Sequence, residues 1–399
     1  MQLLDTTHKN NVLKSMMRIL EEDREALLEA NKKDLDAFDR DDQALYDRLV
    51  MDSAKIDGMI RSVGEVLEQD DPVNREISRR TVSDGLEVIN RTAPFGTILI
   101  IYESRPDVTV EAAVLAFKSN NKILLKGGKE AYHSNVALVA CWHKALEEND
   151  LSADWIRMLK LDRLATREFL MNPPEPIDLI VPRGGERLIA FVKEHATCAV
   201  LVSGRGNNFL YVAEDADWDQ SLKVILNAKT DKISACNALD KILISSKLPD
   251  YEDKLKQLRK VLKAHSVSIL VSDRVGTILP EEEVIQDDSV WYQEFLALKC
   301  SIGLVDSTED AIAAINKYSG GHSASIMTRD DRKAEAFMQQ VDSAAVYRNA
   351  STRFTDGGQM GVGAELAIST DKLHHRGPLG LNELVTNKYY VYGDGHVRV

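Results

Sequence analysis

From residue 96 onward, short runs of consecutive apolar residues alternate with helix-length segments, and this alternation restricts the chain to few architectures. Gly96-Thr97-Ile98-Leu99-Ile100-Ile101-Tyr102 precedes a helix-like stretch over residues 110–118, then Lys122-Ile123-Leu124-Leu125-Lys126, then Gly127-Gly128 and a further helical pattern. A strand that is apolar at every position is buried on both faces, which is the condition of a parallel sheet covered by helices. Ile177-Asp178-Leu179-Ile180-Val181, Ala199-Val200-Leu201-Val202, Lys241-Ile242-Leu243-Ile244 and Ser268-Ile269-Leu270-Val271 extend the series. The fold class is therefore α/β.

Residues 7–67 differ, with apolar positions such as Val12, Met16, Ile19 and Leu20 at helical spacing among many charges. Ser83-Asp84-Gly85 reads as a turn into the strand Leu86-Glu87-Val88-Ile89-Asn90-Arg91. That hairpin has no evident core of its own, as expected of an arm that packs on another subunit.

The chain's 399 residues allow two or three domains without disulfide staples. A formal net charge of −13 argues against nucleic-acid or anionic-membrane partners, which require basic patches. The four cysteines, Cys141, Cys198, Cys236 and Cys300, are far apart and lack metal-ligand spacing, so no metal site and a reducing compartment are expected. With no apolar signal core at the N-terminus and no run of membrane-spanning length, a cytoplasmic location is expected.

Among the cysteines, Cys236 alone stands in a polar stretch, Asn227-Ala228-Lys229-Thr230-Asp231-Lys232-Ile233-Ser234-Ala235-Cys236-Asn237-Ala238. A reactive thiol needs an electropositive, partly solvated setting, which Lys229 and Lys232 are expected to supply; a loop cysteine without function is the bland alternative. Cys141, Cys198 and Cys300 read as small buried hydrophobes. Lys126-Gly127-Gly128-Lys129 and Pro182-Arg183-Gly184-Gly185 each lie between a strand and a helix, where an open α/β sheet presents its ligand crevice and a helix N-terminus attracts phosphate. Neither is a GxGxxG fingerprint, and tight turns alone would explain either singly. Arg105, in Tyr102-Glu103-Ser104-Arg105-Pro106, would hold a phosphate or an oxyanion, or else pair with Glu103. Ser351-Thr352-Arg353, within a donor-rich segment ending Asp356-Gly357-Gly358, suits a small carboxylate, although a solvated loop has the same composition.

Together with Pro94-Phe95-Gly96 and Gly377-Pro378-Leu379-Gly380-Leu381, these segments resemble, in order and over most of the chain, the gamma-glutamyl phosphate reductase (glutamate-5-semialdehyde dehydrogenase) family, a proline-synthesis branch of the aldehyde dehydrogenase superfamily. The resemblance implies an aldehyde dehydrogenase-like α/β fold: a parallel-sheet cofactor domain over residues 1–226, a catalytic domain over 227–362, and a return segment over 363–399. An oligomerisation arm would combine residues 77–94 with a C-terminal strand over 387–399. It further implies Cys236 as nucleophile, with Arg105 joining its backbone N–H as an oxyanion donor. The cofactor would be held by Lys126, Gly127, Gly128, Lys129, Pro182, Arg183, Gly184, Gly185 and Glu294, and substrate by Ser351, Thr352 and Arg353.

The implied cofactor is NADPH, since Lys129 would attract a 2′-phosphate, and the substrate is L-glutamyl 5-phosphate. A homodimer or homotetramer, and association with a separate glutamate 5-kinase, follow as expected partners. The chain departs from the family pattern at Asn208-Phe209 and at Leu239-Asp240-Lys241. Val202-Ser203-Gly204, where hydrolytic relatives carry a water-activating glutamate, has no carboxylate. Two rival readings remain: an oxidising dehydrogenase of another semialdehyde, and a cofactor-binding relative without turnover.

Overall fold

The computed structural model describes residues 2–39, 43–82 and 85–397, which form two compact units. One comprises residues 1–202, 362–367 and 379–399; the other comprises residues 203–361 and 368–378. The change of unit thus falls at Val202/Ser203 rather than at 226/227, and the chain returns to the first unit twice.

In the first unit, α1 (Thr6–Glu22), α2 (Arg24–Ala37), α3 (Gln43–Leu49) and α4 (Ser53–Glu68) form the helical N-terminal region. Asp5 and Asp52 start α1 and α4 by accepting from the backbone N–H of His8 and Lys55, groups that a helix start leaves unpaired. Next come β1 (Glu76–Thr81) and β2 (Glu87–Pro94); the turn expected at Ser83-Asp84 lies outside the described residues. Then β3 (Thr97–Tyr102), α5 (Pro106–Lys118), β4 (Lys122–Lys126), α6 (Tyr132–Glu147), β5 (Ile156–Met158), α7 (Arg163–Met171), β6 (Leu179–Arg183) and α8 (Glu186–His195) build a parallel sheet of order β5-β4-β3-β6.

Both faces of this sheet are covered, as the unbroken apolar runs require. Ile98, Ile100, Ile123 and Leu125 pack with α5, α6 and the N-terminal helices, whereas Leu99, Ile101 and Leu124 pack with residues of α7 and α8. The run Ala199-Val200-Leu201-Val202 is not a strand; it touches the sheet through one bridge, Val200 to Ile180.

The second unit contains β7 (Asn208–Val212), α9 (Trp218–Thr230), β8 (Leu239–Ser245), α10 (Tyr251–Ala264), β9 (Ser268–Val271), α11 (Asp273–Gly276), β10 (Glu283–Val284), α12 (Ser289–Tyr292), β11 (Lys299–Val305), α13 (Thr308–Tyr318), β12 (Ser323–Met327), α14 (Asp331–Gln340) and β13 (Ala345–Arg348). Its seven-stranded parallel sheet has the order β10-β9-β11-β8-β7-β12-β13. Leu210, Val212, Ile242 and Ile244 face α9 and α10; Phe209, Tyr211, Leu243 and Ile326 face α13 and α14.

After the short pair β14 (Ala367–Ser369) and β15 (Gly377–Leu379), β16 (Val385–Tyr392) pairs antiparallel with β2 to give the ribbon β1-β2-β16. Strand β16 thus ends at Tyr392, and residues 398 and 399 of the expected 387–399 strand are outside the described set. No described helix is long and apolar enough to cross a membrane.

Candidate active site

In the second unit, Cys236 lies in the turn between α9 and β8, half-buried, with Ala238 N–H donating to Ala235 O at 3.0 Å. The turn is packed from behind by Gly206: a Cβ there would fall 2.0 Å from Cys236 O and 2.6 Å from its Cα, so no side chain fits. Asn208, fully buried at the start of β7, donates through Nδ2 to Gly206 O, Cys236 O and Ala238 O at 2.9, 2.8 and 2.7 Å. On the other side, Asn237 Nδ2 donates to Arg353 O and Thr355 O at 3.2 and 2.9 Å, and Thr352 Oγ1 donates back to Asn237 O at 2.8 Å. The structure thus brings the candidate nucleophile and the Ser351-Thr352-Arg353 loop together.

Within that loop the hydroxyls are not displayed. Ser351 Oγ accepts from Arg353 N at 3.3 Å, and both Ser351 and Thr352 are buried, so their side chains shape the loop. The Arg353 Nε donates to Asp231 Oδ2 at 3.0 Å, which leaves its guanidinium oriented by a carboxylate from the end of α9. Thr355 continues inward through Oγ1 to Ser323 Oγ at 2.7 Å and Tyr347 OH at 2.8 Å, and Ser323 meets His322 Nδ1 at 2.7 Å. Complete burial pushes His322 down to about 4, so this chain of groups is uncharged at its inner end.

The electropositive setting expected from Lys229 is not what the structure gives. Lys229 is fully buried, and its ammonium pairs with Asp240 Oδ1 at 2.9 Å while also donating to Lys299 O at 2.8 Å. Its charge is cancelled by Asp240, a residue that sequence reasoning treated only as a departure; Lys232 is exposed. Asp240 Oδ2 also accepts from Phe295 N at 2.8 Å, and Lys241 Nζ donates to Gln293 O at 2.7 Å. The two residues therefore grip the backbone on either side of Glu294, and Lys241 lies 3.8 Å from the Phe295 ring centroid. Of the remaining cysteines, Cys141 and Cys300 are buried, and burial pushes both thiols up to about 12. Cys198 is only partly buried, not the fully buried hydrophobe expected.

The first unit gathers the other candidates at the carboxyl ends of β3, β4 and β6. The strand order changes direction between β3 and β6, and such a switch point is where open α/β sheets bind ligands. Ser104 follows β3 with φ +32°, a strained conformation for a residue with a side chain. Glu130 Oε1 holds it there, accepting from Ser104 N and Oγ, both at 2.8 Å. A Cβ on Gly128 would lie 1.9 Å from that carboxylate oxygen, so the glycine is what lets Glu130 fold back. Arg105 then sits at the N-terminus of α5.

Glu103 accepts from Gly185 N at 3.0 Å and fills the space that a Gly184 side chain would need. Its carboxylate occupies the start of α8 as an anion, in the position where a phosphate is favoured. Gly127 lies against Asn135 Nδ2, which is buried and has no partner among the described residues. Lys126 is half-buried, and desolvation lowers its pKa, whereas Lys129 is exposed. Pro182 is buried within β6, so its contribution is to the sheet edge rather than to a displayed surface. A phosphate could take the α8 start only by displacing the Glu103 carboxylate, so what this sheet edge offers an anion directly is the glycine corner after β4, flanked by Lys126 and Lys129. The glycines, Arg105 and Cys236 were candidates in the sequence; Asn208 stood there only as a departure from the family pattern, and Gly206, Asp231 and Glu130 had no role, because their contacts come from folding.

Residues 276–365 match the model of the aldehyde dehydrogenase family. Gamma-glutamyl phosphate reductase of Thermotoga maritima is 42% identical over 98% of this chain and 94% of its own length, and that of Dictyoglomus thermophilum is 37% identical over 100% and 96%. The crystal structure of the Thermotoga maritima enzyme superposes with a TM-score of 0.95 at 41% identity, covering 99% of this chain and 95% of that one. An acetylating aldehyde dehydrogenase from Geobacillus thermoglucosidasius shares the fold, with a TM-score of 0.70 at 15% identity. With identity sustained from end to end, the chain belongs to the gamma-glutamyl phosphate reductase family.

Proposed function

We propose that this protein reduces L-glutamyl 5-phosphate to L-glutamate 5-semialdehyde in proline biosynthesis, with Cys236 as the nucleophile. The observation that carries the reading is the end-to-end identity with gamma-glutamyl phosphate reductases. The clamped Cys236 turn beside the Arg353 loop supports it.

In this scheme the Cys236 thiolate attacks the acyl carbon, the C–O bond to phosphate breaks, and inorganic phosphate leaves with the electron pair, giving a thioester. The nicotinamide cofactor, when bound, supplies the hydride that takes the thioester to the aldehyde level. Collapse then returns the electron pair to sulfur and frees Cys236. The backbone N–H of Cys236 and the Arg105 guanidinium serve the oxyanion that precedes each departure. Arg353, oriented by Asp231, anchors the substrate α-carboxylate, with Ser351 and Thr352 holding the loop in shape.

Lys126, Gly127, Gly128, Arg183, Gly184 and Gly185 would hold the cofactor, with Pro182 setting the strand edge behind them and Glu294 at the nicotinamide ribose. Exposed Lys129 favours the 2′-phosphate, hence NADPH. Val202-Ser203-Gly204 carries no carboxylate to activate water, which disfavours the oxidising, hydrolytic alternative. The ribbon β1-β2-β16 supports a homo-oligomer. A cytoplasmic location and association with a separate glutamate 5-kinase complete the reading.

Purified protein given glutamate 5-semialdehyde, phosphate and NADP+ tests it: phosphate-dependent formation of NADPH is expected. Oxidation that proceeds equally without phosphate would establish the alternative.

A further inference from the structure

Asn208 carries more than its place at the start of β7 requires. Three carbonyls, those of Gly206, Cys236 and Ala238, surround one end of its carboxamide at 2.7–2.9 Å, which fixes that end as the NH2 group. The other end, Oδ1, is buried with no donor among the described residues. A buried oxygen without a donor is costly, so a side chain chosen for stability alone would not leave one. What the residue achieves instead is to tie two carbonyls of the nucleophile turn, at Cys236 and Ala238, to one another and to Gly206. The ladder between β7 and β8 is irregular at the same point, its register shifting between Asn208 and Phe209. Gly206 completes the seat, its Cα facing the Cys236 backbone where a Cβ would fall 2.6 Å from the Cys236 Cα.

We propose that Asn208 is a positioning residue for acyl transfer: by clamping the carbonyls on either side of Asn237, it fixes the backbone from which the Cys236 thiolate and the Cys236 N–H are aimed. This rests on the reading of Cys236 as the nucleophile. A donor aimed at a developing oxyanion acts only if it is already in place, and a small displacement of attacking atom and donor together costs rate rather than ground-state binding. The clamp is contained in the second unit and involves no residue assigned to the cofactor.

The test compares Asn208→Ala and Asn208→Asp with the parent protein, in kcat and KM for the acyl phosphate, in the pH dependence of Cys236 alkylation by iodoacetamide, and in NADP+ affinity by fluorescence titration. Asn208→Ala is expected to lower kcat about ten- to a hundredfold with KM and NADP+ affinity near the parent values. Asn208→Asp keeps the shape but turns a carboxylate toward carbonyls. Its activity is therefore expected to recover as pH falls and the acid gains a proton to donate, a profile the parent and Asn208→Ala lack. If Asn208→Ala does not fold, Asn208→Ser replaces it, with a shorter donor and an intermediate kcat expected. Unchanged kcat in both variants, with Cys236→Ser inactive, would overturn this inference alone, as would a loss of kcat that only tracks the fraction of folded protein. Turnover retained by Cys236→Ser would overturn the nucleophile reading and this inference with it.

Discussion

In the proposed scheme single side chains divide the work between attack and recognition, and substitutions should separate the two. Cys236→Ser should abolish reduction while leaving NADP+ binding intact, as read by steady-state assay and fluorescence titration; near-parent turnover would sink the thioester route. A shielded arginine–carboxylate pair contributes about 1.5–3 kcal/mol, so Arg353→Ala should raise the substrate KM about ten- to a hundredfold. Asp231→Asn should raise it less, because Arg353 loses only the partner that orients its Nε. Arg105→Ala should instead lower kcat, since its interaction strengthens as charge develops; the reverse pattern would place the substrate the other way round. Lys129→Glu should weaken NADP+ relative to NAD+. Cys236 could be singled out as a candidate because it alone of the four cysteines stands in a polar stretch. The residue that holds its carbonyl was not, since Asn208 reaches it across a sequence separation of 28.

At the level of elements, the apolar runs gave away β3, β4, β6, β8 and β9, because a strand covered on both faces is mostly apolar. The run at 199–202 misled, as apolar content alone does not decide whether a partner's edge is available along the whole segment. Strand β7 begins with Asn208, and β11 is interrupted by Ser301 and Gly303, so neither advertises itself, although both are fully paired in the sheet. Lys241 on β8 illustrates a polar position that pattern reading would move to the surface. It is buried, and desolvation pushes it down to about 7 from an ordinary 10.5, the Asp240 charge opposing the shift. The unfolded chain therefore binds the extra proton between about pH 7 and about 10.5, and folding stability should rise with pH across that window. Lys241→Met should flatten that slope in denaturant titrations at several pH values; an unchanged slope would show that Lys241 is not its source.

For the molecule as a whole, the ribbon β1-β2-β16 is the feature without an internal reason. Tyr389 and Val391 on β16 are 62% and 55% exposed, and Ile77 on β1 is 55% exposed, on a ribbon too thin to bury either face itself. Tyr389→Glu with Val391→Glu should lower the assembly mass in sedimentation velocity while the first unit's thermal transition stays in place; an unchanged mass would assign the ribbon another role. The division of the chain has a different consequence. Leu366, Ala367, Leu379, Leu381 and Leu384 belong to the core that also holds α1, α4 and β3, although they are encoded near the end of the chain. During synthesis the second unit's residues through 361 emerge before these do, so the earlier-made unit waits, incomplete, for its last hydrophobic pieces. A nascent chain released before these residues would leave that unfinished core open to chaperones and proteases.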